Sequence, residues 1–279
     1  MKLATIRTGA GTTAARIEED GGEAVEVSAA DVGVLLAQAD WPRIAAGAAG
    51  TRHKLAEVDY APLVPRPGKV IGVGQNYRAH LIEQGVAPPA YPTLFAKFAS
   101  ALTGARDEIP LPAASNAVDW EVELAAVIGW PARRVAEIDA LAAVAGYAVI
   151  NDVSMRDWQY RTSQFLQGKT FDKATPFGPW LVTRDDPSVD EAGMDLYAAI
   201  DGEMVQEGNT SDLLFDVAAL VSYISQAVTL RPGDVIATGT PGGSGHWRDP
   251  KRYLQDGNIL VSKITGLGEC SNLCRRESE

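Results

Sequence analysis

The stretch Asp119-Trp-Glu-Val-Glu-Leu-Ala-Ala-Val-Ile-Gly129 joins two carboxylates to an apolar run. The run predicts a strand that must be buried. Residues i and i+2 of a strand point to one face, so Glu121 and Glu123 stand side by side. Like charges this close repel, and burying one without a partner is costly. A hard divalent cation, Mg²⁺, Mn²⁺ or Ca²⁺, would remove both penalties by taking carboxylate oxygens as ligands. The other reading of the pair is a solvated strand face.

The 279 residues allow one large domain, or a main domain with a small appendage. No apolar run approaches the roughly 20 residues of a membrane span. The first residues lack the apolar core of a secretory signal. A cytoplasmic protein with no membrane partner is expected. A net charge of −11 argues against nucleic acid, whose phosphates call for clustered Lys and Arg. It leaves room for a small anionic substrate, because a cation and one or two basic groups invert the field of a cleft. Cys270 and Cys274 have only His53, His80 and His246 to join them, too few for a structural zinc site. They read as reduced thiols near the C-terminus.

Residues 1–66 read as a small N-terminal domain and 67–279 as the catalytic one, with Pro62, Pro65 and Pro67 at the joint. Lys2–Arg7 and Ala14–Glu18 predict short strands, and a helix capped by Ser28 is expected up to Ala37. Beyond Lys69, β-type runs dominate: 70–73, 122–128, 147–150, 180–183, 195–200, 235–238 and 259–264. Helical spacing is confined to 137–145 and 214–228. Strands outnumber helices without alternating with them, which predicts a β-rich α+β fold. Gly72-Val-Gly74 lacks the third glycine of a dinucleotide fingerprint, and Gly239-Thr-Pro-Gly-Gly-Ser-Gly245 lacks the Lys of a phosphate loop. Both read as turns or close backbone contacts.

Three further places carry chemistry. Asp152 ends the apolar run Tyr147–Ile150; it is either a third oxygen ligand beside Glu121 and Glu123 or a cap on the following turn. His80 and Glu83 share a helix face at i, i+3, as a general base with its orienting carboxylate or as a surface pair. Lys169, between Gly168 and Thr170-Phe171, is either a fixed charge for a substrate oxyanion or a solvated lysine.

Together these stretches resemble the fumarylacetoacetate hydrolase family. The residues that carry the resemblance are Val73-Gly-Gln-Asn-Tyr-Arg-Ala-His80, Leu94-Phe-Ala-Lys97, Asp119 to Leu124, Asn151 to Gln159, Gly168-Lys-Thr-Phe-Asp172, Gly178-Pro-Trp180, Asn209-Thr-Ser-Asp212 and Pro232 to Pro241. The resemblance implies a mixed β-roll with few helices, assembled as a homodimer. It implies metal ligands at Glu121, Glu123 and Asp152, no organic cofactor, and a catalytic His80–Glu83 pair on a mobile lid helix with Lys169 opposite. Substrate contacts are implied at Arg156, Gln159 and Thr240, with Tyr77 and Gln75 nearby. Gln75 departs from relatives that carry Arg there.

The activity so implied is metal-dependent C–C hydrolysis of a β-diketo acid of the acylpyruvate type. His80 would draw a proton from water, and Lys169 would help hold the pyruvate enolate that leaves. Decarboxylation, isomerisation or hydration of a related keto acid runs through the same enolate and is the alternative. A non-catalytic protein that binds a metal–keto acid is a third reading, of another class.

Overall fold

The computed structural model describes residues 1–18, 20 and 22–277. Among these, the largest sheet has 12 strands. Its centre is Val122–Ile128, antiparallel to Val144–Asn151 on one side and to Val235–Ala237 on the other. Every residue of the central strand is buried. Its parity divides two cores. Val122, Leu124, Ala126 and Ile128 enter one cluster with Leu196, Ala198, Leu260 and Ile264 of a second, five-stranded sheet. Ala125 and Val127 enter the other, with Val32, Leu35, Leu36 and Trp41. A strand covered on both faces needs apolar side chains, which this run supplies at every position but Glu123.

The expected N-terminal unit is continuous with that sheet. Lys2–Thr8 pairs antiparallel with Thr175–Thr183, Leu3 facing Leu181. The short helices Val32–Leu36 and Trp41–Ala46 then cover the second face. Residues 1–66 are thus a layer over the main sheet and share its core.

Helix positions shift from expectation. The first helix is capped by Asp31, which accepts from the Val34 N–H at 2.8 Å, not by Ser28. The 137–145 helix stops at Ala140, passes through the 3₁₀ turn Leu141–Ala143 and becomes the strand Val144–Asn151. Pairing with the central strand overrides local spacing there. Val217–Ala227 is helical with Asp216 as its cap, close to expectation. No helix of the described residues is long and apolar enough to cross a membrane. Cys270 and Cys274 are buried in the strand Gly268–Arg276, within the core and not in a loose tail. Burial pushes the Cys274 thiol up to about 12. Gly72 is a close-packing glycine: a Cβ there would collide with the Phe95 ring.

Candidate active site

The three acids expected to act together do converge. Asn151 faces Val122 across the central pair of strands. The Glu121 N–H donates to Asn151 Oδ1 at 2.9 Å, and the Asp152 N–H donates to the Glu121 carbonyl at 2.8 Å. These bonds bring Asp152 to the end of the sheet where Glu121 and Glu123 emerge. All three carboxylates are buried, and each offers an oxygen within 4.8 Å of the others.

Cations surround two of them. Lys169 Nζ donates to Glu121 Oε2 at 2.5 Å and to Asp152 Oδ2 at 2.8 Å. Arg156 donates from Nη2 to Glu121 Oε1 at 2.5 Å and from Nε to Asp119 Oδ2 at 2.8 Å. Lys97, fully buried, donates to Asp152 Oδ1 at 2.5 Å and to the Lys169 carbonyl. Among the described residues, Glu123 accepts from the backbone N–H of Gly239 alone, at 2.8 Å. Gly239 reaches that position with φ 107°, a region open to glycine.

The electrostatics follow from this pairing. Burial pushes the Glu121 carboxyl up, but Arg156 and Lys169 outweigh it and hold it at about 2. Glu123 feels Lys169 only through space; burial, then Asp152 and Glu121, outweigh that charge and the Gly239 N–H and push it well above the carboxylate range. Burial pulls the Lys97 ammonium down against the opposing charge of Asp152. Lys169 rises instead, because two carboxylates together overcome its burial. Counted fully ionised, three cations against four carboxylates (Asp119 included) leave this cluster one charge negative, and the raised Glu123 carboxyl reflects that excess. Buried oxygen donors with an excess of negative charge suit a hard divalent cation, and Glu121, Glu123 and Asp152 are the residues that would hold it.

His80 lies on the helix Arg78–Gln84, as expected, and is buried. Its Nδ1 is 2.8 Å from Glu83 Oε2. Glu83 in turn accepts from the Gly243 N–H at 3.0 Å. The glycine-rich loop is therefore a brace. Its Gly243 N–H holds Glu83, while the N–H groups of Gly245 and His246 hold Asp119 at 2.7 and 3.1 Å, and Asp119 holds Arg156.

A cavity of about 150 Å³ opens on His80, Glu121, Glu123, Arg156 and Lys169. Gln75, Gln159 and Thr240 also line it. Gln75 does so from a left-handed backbone, φ 58°, a conformation that non-glycine residues hold at a cost and that clusters at functional sites. Gln159 Oε1 accepts from Arg156 Nη1 at 2.8 Å, which leaves its amide N–H groups for a ligand. The Thr240 hydroxyl donates to the Val122 carbonyl and accepts from Gln206, so only a lone pair remains to it. Tyr77 does not line the cavity. It is the cap residue of the His80 helix, and its ring is packed wholly into the core, so no substrate contact is available to it here.

The residue reading missed roles for Lys97, Asp119 and Gln206. Lys97 and Asp119 stand at strand ends within the stretches that carry the family resemblance, but only the fold shows that their partners are Asp152 and Arg156. Gln206 accepts from the Val122 N–H at 3.0 Å from a separate sheet and carries no local signal.

A family model described as the fumarylacetoacetate hydrolase C-terminal region matches residues 69–274. Human mitochondrial oxaloacetate tautomerase FAHD2A is 46% identical over 219 residues, spanning 78% of this chain and 69% of that protein. The structure of a 5-carboxymethyl-2-hydroxymuconate delta-isomerase from Mycobacterium smegmatis superposes with a TM-score of 0.84 at 34% identity, over 99% of this chain and 100% of that one. That of a fumarylacetoacetate hydrolase from the psychrophile Exiguobacterium antarcticum gives 0.86 at 33% identity, also over 99% and 100%.

Proposed function

The chain belongs to the fumarylacetoacetate hydrolase family, and we propose that within it the protein interconverts the keto and enol forms of a small 2-oxo diacid such as oxaloacetate. The observation that carries this reading is the joining, in one small cavity, of a carboxylate-oriented imidazole to a buried acid cluster flanked by Lys169 and Arg156. Pockets for drug-sized ligands run from about 300 to 1,000 Å³, so a cavity of about 150 Å³ suits a compact acid. The human relative is named a tautomerase of oxaloacetate, and the Mycobacterium relative is named an isomerase of a larger unsaturated hydroxy acid.

Each residue then has a stated task. The amide of Gln159 and the guanidinium of Arg156 hold the substrate carboxylate. Glu83 orients His80, whose Nε2 removes the proton from the carbon beside the 2-oxo group. Negative charge moves to the 2-oxygen, where Lys169 stabilises it, and return of the proton from His80 Nε2 to that oxygen completes the enol and restores the neutral imidazole. A divalent cation held by Glu121, Glu123 and Asp152 would supply further positive charge at the same oxygen. The walls around His80, with Phe95 and Phe165, keep bulk water from the carbanion.

C–C hydrolysis, the leading expectation from the sequence, is retained as the second reading because the Exiguobacterium relative bears that name. The two differ in product. Oxaloacetate and a panel of acylpyruvates should be assayed with Mg²⁺ or Mn²⁺, following enol absorbance, pyruvate and CO₂. The proposal expects faster loss of the enol band of oxaloacetate with no new acid. Pyruvate plus a second acid from an acylpyruvate would establish the hydrolase. Metal binding with no turnover of either substrate would leave the binding protein.

A further inference from the structure

We infer that Gln84 is a positioning residue for the base: it caps His80 Nε2, and it must swing away before that nitrogen can take a proton. The inference rests on the assignment of His80 as the base. Gln84 is the last residue of the helix Arg78–Gln84, one turn beyond His80, and it lines the cavity. Its side-chain nitrogen stands 2.6 Å from His80 Nε2.

The protons in this chain of contacts follow from valence. Glu83 accepts from Gly243, and although burial pushes its carboxyl up, His80 and the Gly243 N–H pull it below the ordinary carboxylate range. An ionised carboxylate only accepts, so His80 Nδ1 carries the hydrogen between them. In the neutral imidazole, Nε2 is then the acceptor, and the amide N–H of Gln84 is its donor. An sp² ring nitrogen has one lone pair. While Gln84 holds it, no substrate C–H can use it.

The arrangement gives Gln84 two effects. It fixes the ring with Nε2 on the cavity side. It also competes with the substrate for that lone pair. The cap is local: it is the end of a short helix, next to Gly85, and a rotation of the Gln84 side chain releases it without moving His80 or Glu83. Val86 and Trp247 line the same cavity and bound the space in which the amide can turn.

The test is ¹⁵N spectroscopy of the histidine rings in the whole protein without substrate, at pH 8, comparing the native chain with Gln84→Met. Only three histidines exist, so His53 and His246 serve as internal controls of the fold. We expect a protonated Nδ1 in both proteins. In the native chain the Nε2 resonance should show an accepted hydrogen bond; in Gln84→Met it should move to the position of a free lone pair. Kinetically, the variant should lower KM severalfold while kcat stays within about threefold, since one neutral hydrogen bond contributes about 1 kcal/mol. An unchanged Nε2 resonance would overturn the inference. So would a fall in kcat of tenfold or more, which would make Gln84 part of the chemistry. If no keto acid is turned over but the resonance moves as stated, the function proposed above fails and the cap stands.

Discussion

Among the described residues Glu123 differs from its two partners in making no hydrogen bond to a cation, and its replacement separates the metal from the fold. Glu123→Gln keeps the size and the Gly239 contact while removing one ligand charge from a buried acidic cluster. We expect titration calorimetry to show loss of Mn²⁺ binding and assays to show loss of turnover. In EDTA the variant should melt at a higher temperature than the native chain, because the cost of burying a carboxyl beside Asp152 and Glu121, which raises its pKa, is gone. His80→Ala should lower kcat by roughly 10²–10⁴, the usual range for a missing general base. Glu83→Gln should cost less, since it disturbs orientation alone. A near-native rate for His80→Ala would exclude the assignment. Oxalate, an enolate mimic, tests the charge argument: with all four acids ionised, a divalent cation turns the cluster from one negative charge to one positive. Calorimetry should find oxalate bound with Mg²⁺ and not in EDTA; equal affinity in both would remove the metal as anchor. Glu121, Glu123, His80 and Glu83 were legible from spacing because strand and helix periods place neighbours on one face. Asp119 was not, because its task is set by Arg156, 37 residues away.

At the scale of elements, the first strand is tied to the catalytic layer by Arg7. Its Nη2 reaches Asp107 Oδ2 at 2.6 Å, and Nη1 reaches Asp59 at 2.7 Å and the Tyr60 carbonyl at 2.9 Å. Burial pushes the Asp107 carboxyl up, but Arg7 and the Gly104 N–H pull it below the ordinary range. A carboxyl whose folded value is depressed adds stability above its unfolded value, about 3.9, and loses it as the pH falls through the lower folded value. Arg7→Ala should therefore cost about 1 kcal/mol at pH 7, allowing for screening of a partly exposed pair. Urea melts should show the gap between native and variant closing as the pH is taken below 3. A gap that is constant with pH would assign the loss to packing. The central strand was legible because seven consecutive buried positions admit only apolar residues apart from Glu123 at the site. The truncation of the 137–145 helix was not, since the pairing of Val144 with Ile128 decides it across the sheet.

At the scale of the molecule, residues 1–66 matter as cover. Their strand Lys2–Thr8 protects the edge of Thr175–Thr183, and Val32, Leu35, Leu36 and Trp41 close the second core. A chain starting at Lys69, where the family match begins, should bare that edge and that face together and collect in the insoluble fraction. Recovery of a soluble, folded chain would show that the layer is dispensable. A homodimer remains our proposal from the family resemblance, and light scattering at micromolar concentration should return twice the chain mass of 29.6 kDa. The sequence by itself determined a β-rich fold, the acid pair on one strand face and the His–Glu pair on one helix face. These are short-range facts, set by periods of two and 3.6 residues. Only the tertiary structure decided that Asp152 joins the pair, that Lys97 neutralises it, that Tyr77 is core and that Gln84 caps the base. Those depend on which strands become neighbours and how a helix end is seated on them, and the free energy that selects them is burial summed over residues far apart in the chain.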